Sequence, residues 1–281
     1  MTVSVLIPNY NHAKYLKQRI ESILNQTYRD FEIIILDDCS TDRSRDIIDD
    51  YTSRFPFITS YYNSINSGSP FIQWDSGVDK AKGEFIWIAE SDDFAEPTFL
   101  EKTTAIMNDN KTLGLVYCDS KVFDESNKSE YFVSERKALF SNTKWLRDYL
   151  NSGKKEIADY LYLANTINNV SGVLFRKCKY SEAGFADHSM KFCGDWFIYL
   201  RILLISDVAY IAEPLNNFRL HADSTFHSYF GSNTYLKEVI KIYLFVNKQI
   251  SLAPKKKFLM AGYLSRIIFR RLVHLIRIRK T

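Results

Sequence analysis

Cysteine is scarce: Cys39, Cys118, Cys178 and Cys193 are the four in 281 residues, and none forms a Cys-x-x-Cys pair. Such spacing suits neither a zinc site nor a disulfide framework and fits a reducing, cytosolic compartment. No Gly-x-Gly-x-x-Gly and no Walker-type loop occurs, which argues against dinucleotide oxidoreductase and phosphate-loop chemistry. Low-complexity tracts are missing too, and 46% hydrophobic with 25% charged residues describes a chain folded throughout. Long apolar runs are lacking as well. The most apolar later stretch, Trp196 to Ala212, is interrupted by Arg201 and Asp207, so no transmembrane helix is expected. A strand pattern begins within a few residues of Met1, so no secretory signal is expected.

Acidic residues are missing from one place. Pro254 to Thr281 holds nine Lys or Arg and no Asp or Glu, so a chain at +4 overall is at −5 before its tail. With that acidic remainder and no recognised module, no nucleic-acid partner is expected. The length suits one large α/β domain with an appendage.

Apolar patterning predicts the order of elements. Val3 to Ile7 is a strand that breaks at Pro8-Asn9-Tyr10-Asn11, and Tyr15, Leu16, Ile20, Ile23 and Leu24 recur at helical spacing. Phe31 to Leu36 is a second strand, ending on Asp37-Asp38. Ser40 or Thr41 can cap a helix carrying Ile47, Ile48 and Tyr51, Phe57 to Tyr62 is a third strand, and Ser69-Pro70 opens another helix. Phe85 to Ala89 is a strand that ends on Glu90-Ser91-Asp92-Asp93. Repeated strand–helix units predict a doubly wound, mostly parallel α/β sheet flanked by helices, with ligands at the carboxyl ends of the strands. The polar clusters at Asn9 to Asn11, Asp37-Asp38 and Glu90 to Asp93 are therefore expected to converge on one cleft.

Beyond residue 120 a polar stretch, Asp124 to Asn142, gives way to apolar periodicity at Trp145, Leu146, Tyr149 and Leu150. Ser171 to Phe175 reads as a strand, Asp195 to Ile205 as a helix, Val208 to Leu220 as a strand pair broken at Pro214, and the chain from Tyr235 as helix with a break near Pro254. Asp92-Asp93 directly after an apolar strand offers hard oxygen ligands for Mn²⁺ or Mg²⁺, or else a solvated turn or cap before Pro97. A carboxylate at Asp37-Asp38 could accept hydrogen bonds from a nucleobase or a ribose hydroxyl, and Ser40 or Thr41 could cap a helix at the same time.

The runs Val5-Leu6-Ile7-Pro8-Asn9-Tyr10-Asn11, Asp37 to Asp42, Asn66-Ser67-Gly68 and Gly83 to Asp93 together resemble, in order and spacing, the inverting glycosyltransferases of family 2, which have the GT-A fold. The likeness continues through Gly194-Asp195-Trp196 and Pro214 to His221. It implies a glycosyltransferase domain over 1–225, with a nucleotide-sugar-binding half at 1–120 and an acceptor-side half at 121–225, followed by a basic helical extension at 226–281. It also implies a UDP-sugar donor and a glycan or lipid-linked acceptor, in bacterial surface polysaccharide or glycolipid synthesis.

By the same resemblance Pro8, Asn9, Tyr10, Asp38, Asn66, Gly68, Gln73 and Asp92 contact the nucleotide sugar. Asp93 ligates the metal with His221 completing its shell, and Asp195 is the catalytic base for a single displacement with inversion. This sequence departs from the family pattern at Glu90, where many relatives have Asp, at Gly194, where many have Glu, and at Gln73-Trp74-Asp75, where an Arg-Asn pair is common.

In the tail, Phe258, Leu259, Ile267, Ile268, Leu272, Leu275 and Ile276 stand near helical spacing, with Arg266, Arg270, Arg271, Arg277 and Arg279 among them. Such a helix suits peripheral contact with the inner face of an anionic membrane, and equally packing on the domain or on a second copy as a homodimer. Two rivals remain. A sugar-nucleotide pyrophosphorylase would need a Gly-rich basic loop where Pro8 to Asn11 stands. A non-catalytic nucleotide- or carbohydrate-binding module would not be expected to keep Asp93, Asp195 and His221 together.

Overall fold

A computed structural model describes residues 2–222, 224 and 229–278, of which 270–278 are described by backbone alone. The strands are β1 (Val3–Asn9), β2 (Phe31–Asp37), β3 (Ile58–Tyr62), β4 (Phe85–Ile88), β5 (Phe94–Ala95), β6 (Leu113–Asp124), β7 (Ser129–Phe132), β8 (Tyr149–Ser152), β9 (Val173–Arg176) and β10 (Asp207–Leu220). The helices are α1 (Ala13–Leu24), α2 (Ser44–Arg54), α3 (Pro70–Lys80), α4 (Phe99–Asp109), α5 (Val133–Lys137), α6 (Gly153–Glu156), α7 (Lys177–Glu182), α8 (Gly194–Leu203), α9 (Asn233–Gln249) and α10 (Pro254–Ile278).

The strands form one sheet in the order β3-β2-β1-β4-β9-β6-β10-β5, with β7 against β6 and β8 against β10. β3, β2, β1 and β4 run parallel, so the loops after β1, β2 and β4 leave from one edge. β9 then lies antiparallel between β4 and β6, which makes the sheet mixed. Side chains alternate across it as the two-residue period of a strand requires. Val3, Val5 and Ile7 join Leu16, Ile20 and Ile23 of α1 in one core. Leu6 faces the other way, into a core shared with Trp74 and Val78 of α3, Trp196 and Leu200 of α8, and Val239 and Ile242 of α9.

Two local expectations are corrected, and the apolar residues after Asn142 find their elements. The segment after Val208 is a single strand, and Pro214 is absorbed by register shifts on either side of it, as a residue without an N–H requires inside a sheet. α2 starts at Ser44 rather than at a Ser40 or Thr41 cap, because Ser40 is drawn into the loop after β1 while the Asp42 carboxylate accepts the Ser44 N–H at 2.9 Å. Trp145 and Leu146 lie in a 3₁₀ turn, Lys144–Leu146, and Tyr149 and Leu150 in β8. Among the described residues no helix is long and apolar enough to cross a membrane.

Candidate active site

At the carboxyl edge the loops after β1 and β2 are tied into one unit. The Asn9 amide donates to Asp37 Oδ1 (2.9 Å) and Ser40 Oγ (3.1 Å), the Asn11 N–H donates to Ser40 Oγ (2.9 Å), and Asn11 Oδ1 accepts the Thr41 N–H (2.7 Å). Asn11 and Cys39 hold φ of 56° and 65°. Left-handed backbone is ordinary for Asn but costly for Cys, and it persists here because the surrounding hydrogen bonds over-determine the turn. Pro8 is buried within β1, and Tyr10 is exposed at the rim.

Asp38 is the hub of a second group. Its Oδ1 accepts from Asn63 Nδ2 (2.7 Å), the Ser67 N–H (2.9 Å) and Gln73 Nε2 (2.9 Å), and its Oδ2 accepts from Ser67 Oγ (2.7 Å). Asn66 donates to the Asp38 carbonyl at 3.0 Å and accepts the N–H of Gly68, whose φ of +70° closes that turn. The structure thus brings Asp38, Asn66, Gly68 and Gln73 together. Gln73 reaches Asp38 from α3, and the neighbouring Trp74 indole donates to Glu90 Oε1 at 2.7 Å.

The tandem aspartates after β4 face different surroundings. Asp92 Oδ2 lies 3.0 Å from His221 Nε2, and ligand atoms of His12, Asp92 and His221 all fall within 4.8 Å of one another. Asp93 is spent inside the protein: Oδ1 accepts the Arg219 N–H (2.9 Å), and Oδ2 accepts from Ser171 Oγ (2.6 Å) and Asn169 Nδ2 (3.1 Å). Asp92 is therefore the aspartate beside His221, while Asp93, expected with His221 at a metal, is the inward one with hydrogen bonds on both oxygens. The charges respond to this arrangement. Burial pushes the Asp92 carboxyl up, but the His221 hydrogen bond and the fields of His12 and His221 outweigh it and hold it below its ordinary range. Burial and then the charge of Asp92 push Asp93 up. Glu90 is raised to about 8, first by burial and next by Asp92.

Arg19 answers this concentration of acid. It is fully buried on α1, donates Nε–H to the Glu90 carbonyl at 2.8 Å, and brings its guanidinium to 3.9 Å from Asp93 and over the Trp87 ring. Burial lowers it to about 10, which leaves it protonated at neutral pH.

Asp195 sits in the first turn of α8, half-buried, where Oδ1 accepts the Trp196 N–H (2.6 Å) and Oδ2 accepts from Asn165 Nδ2 (2.8 Å). Two acceptor positions on the carboxylate remain for another donor. Burial raises it to about 7 against the hydrogen bonds from Trp196 and Asn165, and the charge of Glu238 adds to the rise. The same loop that supplies Asn165 supplies Asn169 to Asp93, so a short polar segment ties Asp195 to the end of β4. Gly194 is explained by packing: a Cβ there would lie 2.5 Å from the Phe71 ring of α3, so no side chain fits before the carboxylate.

His12 and Arg19 escaped the reading of the sequence. A lone His in a turn carries no signal of its own, since its partner His221 stands at the far end of the chain. Arg19 did leave one, as a cation within the apolar stripe Tyr15, Leu16, Ile20 and Ile23.

The mixed α/β sheet thus carries at its strand ends the hydrogen-bonded Asp38 cluster and a His-Asp-His cluster, with a carboxylate raised to about 7 at the start of α8, groups of the kind an enzyme site uses. The sequence signature of "Glycosyl transferase family 2" matches residues 4–177, and the chain belongs to that family. It is similar to an uncharacterised glycosyltransferase of Rickettsia typhi, 28% identical over 225 residues covering 79% of this chain and 65% of that one, so it spans slightly less than two thirds of that relative. It is also similar to the poly(ribitol-phosphate) beta-N-acetylglucosaminyltransferase TarS of Staphylococcus aureus, 30% identical over 112 residues covering 39% of this chain and 19% of TarS. The structure of TarS residues 1–349 in complex with UDP-GlcNAc superposes with a TM-score of 0.71 at 18% identity, over 95% of this chain and 72% of that one. A mannosyltransferase of Pyrobaculum calidifontis, in complex with GDP-Man and Mn²⁺, gives 0.65 at 12% identity, over 94% and 69%. The fold is the GT-A fold of these glycosyltransferases, with a helical C-terminal extension.

Proposed function

We propose that this glycosyltransferase moves a sugar from a UDP-sugar to an acceptor hydroxyl with inversion, using Asp195 as base and a divalent cation at Asp92, His12 and His221. The observation that carries the reading is a His-Asp-His cluster after β4 together with a carboxylate raised to about 7, the two regions joined by the segment that sends Asn165 to Asp195 and Asn169 to Asp93. The donor set fits a metal: two imidazole nitrogens and a carboxylate oxygen within 4.8 Å suit Mn²⁺ better than Mg²⁺, which prefers oxygen alone. When bound, the cation would neutralise the leaving diphosphate. The chain's own residues do the rest. Pro8, Asn9, Tyr10, Asp38, Asn66, Gly68 and Gln73 would line the nucleoside end, and Asp195 would take the acceptor proton as the new bond forms. Because the acceptor oxygen would bond to the anomeric carbon on the face opposite the diphosphate, whose bond to that carbon breaks as the new one forms, one displacement inverts the anomeric centre. The UDP preference is supported by the UDP-GlcNAc held by TarS, and a polymer acceptor by the poly(ribitol-phosphate) on which TarS acts.

A thermal-shift comparison of UDP, GDP and dTDP, each with and without Mn²⁺, tests the donor site. UDP with Mn²⁺ at about 100 times its dissociation constant should add about 2.7 kcal/mol of stability. A folded protein that no nucleotide stabilises would return the chain to the binding-module rival.

The division at 225 and the role of the tail belong to the same proposal. α10 leaves Phe258, Leu259, Ile268 and Phe269 exposed beside Lys255, Lys257 and Arg266, while Arg270, Arg271, Leu272, Leu275, Ile276, Arg277 and Arg279 lie outside the described side chains. An anionic membrane complements that charge, whereas a second copy would set like charges against each other. The protein is expected to sediment with vesicles containing phosphatidylglycerol, to stay in solution with phosphatidylcholine alone, and to be released by about 0.5 M salt. A salt-stable dimer that ignores vesicles would support the homodimer instead.

A further inference from the structure

The loop that leads into α8 is held by a residue from far along the chain. Glu238, buried on α9, accepts three consecutive backbone N–H groups: Lys191 on Oε1 (2.6 Å), and Phe192 (3.1 Å) and Cys193 (2.7 Å) on Oε2. These three residues precede Gly194-Asp195, so their N–H groups point away from the start of α8 towards α9. The same loop is fastened elsewhere. Asp75 of α3 accepts the Ala186 N–H at 3.1 Å and lies 2.7 Å from His188, Lys241 of α9 pairs with Asp187 at 2.6 Å, and Lys191 Nζ donates to the Gly68 carbonyl at 2.9 Å, in the turn beside Asp38.

We infer that Glu238 is a positioning residue of the transfer reaction, holding from the C-terminal extension the loop that presents Asp195. The inference rests on Asp195 being the base. It is carried by geometry: a single residue separates the last N–H that Glu238 holds, that of Cys193, from Asp195, and that residue, Gly194, has no side chain with which to fix itself. Packing by Phe71 forbids one, so the restraint comes from outside the loop. Misplacing a base by about 1 Å costs on the order of 100-fold in rate. The extension is thereby part of the catalytic apparatus rather than an appendage to it.

Glu238 also adds its charge to the surroundings of Asp195. Among the described residues, Asn165, which carries no charge, and Cys193 and Tyr199, which burial pushes up and keeps neutral, also face it. Removing the charge should therefore lower the midpoint of the Asp195 limb, a change that loosening of the loop alone does not predict.

The test uses the full chain with UDP-GlcNAc and Mn²⁺, reading UDP release, UDP affinity and amide exchange at residues 191–193. Glu238→Ala is expected to speed exchange at these amides and lower kcat by about ten- to 100-fold, with UDP affinity within about twofold. Glu238→Gln, which keeps an acceptor oxygen, is expected to recover part of the rate and to move the acidic limb of kcat to lower pH. Combining Glu238→Ala with Asp195→Asn should add little to the loss from Asp195→Asn alone, since both act through one group. A folded Glu238→Ala protein with unchanged kcat, beside an inactive Asp195→Asn, overturns the inference and leaves the base in place. An Asp195→Asn protein with unchanged kcat removes the base and this inference with it. If Glu238→Ala does not fold, Glu238→Gln decides alone: an unmoved limb and an unchanged kcat overturn it.

Discussion

Asp195→Asn is expected to lower kcat by about 10²- to 10⁴-fold, the usual contribution of a positioned general base, while UDP and Mn²⁺ bind as before. Asparagine keeps the size of the side chain and can still accept the Trp196 N–H, so the start of α8 should survive. What it loses is the ability to take a proton. The wild-type base works only when ionised, and with its carboxyl raised to about 7 the rate should fall as pH drops through that value. The residual rate of the variant should lack this limb.

The same substitution makes a prediction about stability. A carboxyl raised in the folded state from an ordinary 3.8 favours the protonated form there, so its contribution is intact at low pH and is lost as pH rises towards 7. Asp195→Asn is accordingly expected to melt higher than wild type at pH 8 and equally at pH 3.5. A variant that melts lower at pH 8 and turns over normally would mark Asp195 as a helix-capping residue only.

The strand ends were readable because apolar runs of four to seven residues stop abruptly at polar clusters, and a parallel sheet must bring such ends to one edge. That reasoning reaches Asp38; Asn66, Gly68 and Gln73 came from the family resemblance, and the structure links them to Asp38 in one hydrogen-bonded network. It cannot separate Asp92 from Asp93. Adjacent side chains point in opposite directions, and which of them faces the cleft depends on where Ser171, Asn169 and Arg219 arrive from later in the chain. Glu238 was illegible for a related reason. It stands within the helical pattern of Tyr235, Val239 and Ile242, where a buried Glu looks like an ordinary interruption, and only packing shows what its carboxylate holds. The antiparallel β9 was read as a strand, but its insertion between β4 and β6 is long-range pairing that no local period records.

Exchanging the tandem aspartates one at a time should separate their roles. Asp92→Asn is expected to weaken Mn²⁺ by at least about 100-fold, since losing even an outer-shell partner of a metal costs 10- to 100-fold, and to abolish the Mn²⁺-dependent part of the UDP thermal shift. His12→Ala and His221→Ala should each weaken it as well. Asp93→Asn should do something different. Its carboxylate lies with Arg19 in a buried site, and removing one member of a buried pair leaves the other charge uncompensated, at a cost of about 3 kcal/mol. In a chain of this size that corresponds to a melting temperature lower by roughly 6–12 °C, with the dependence of UDP binding on Mn²⁺ retained. Calorimetric titration of Mn²⁺ into each UDP-bound variant distinguishes the two. If Asp93→Asn loses Mn²⁺ binding at an unchanged melting temperature while Asp92→Asn keeps it, the cation belongs to Asp93 after all, and the hydrogen bonds now on that carboxylate must be exchanged for metal ligation when the donor arrives.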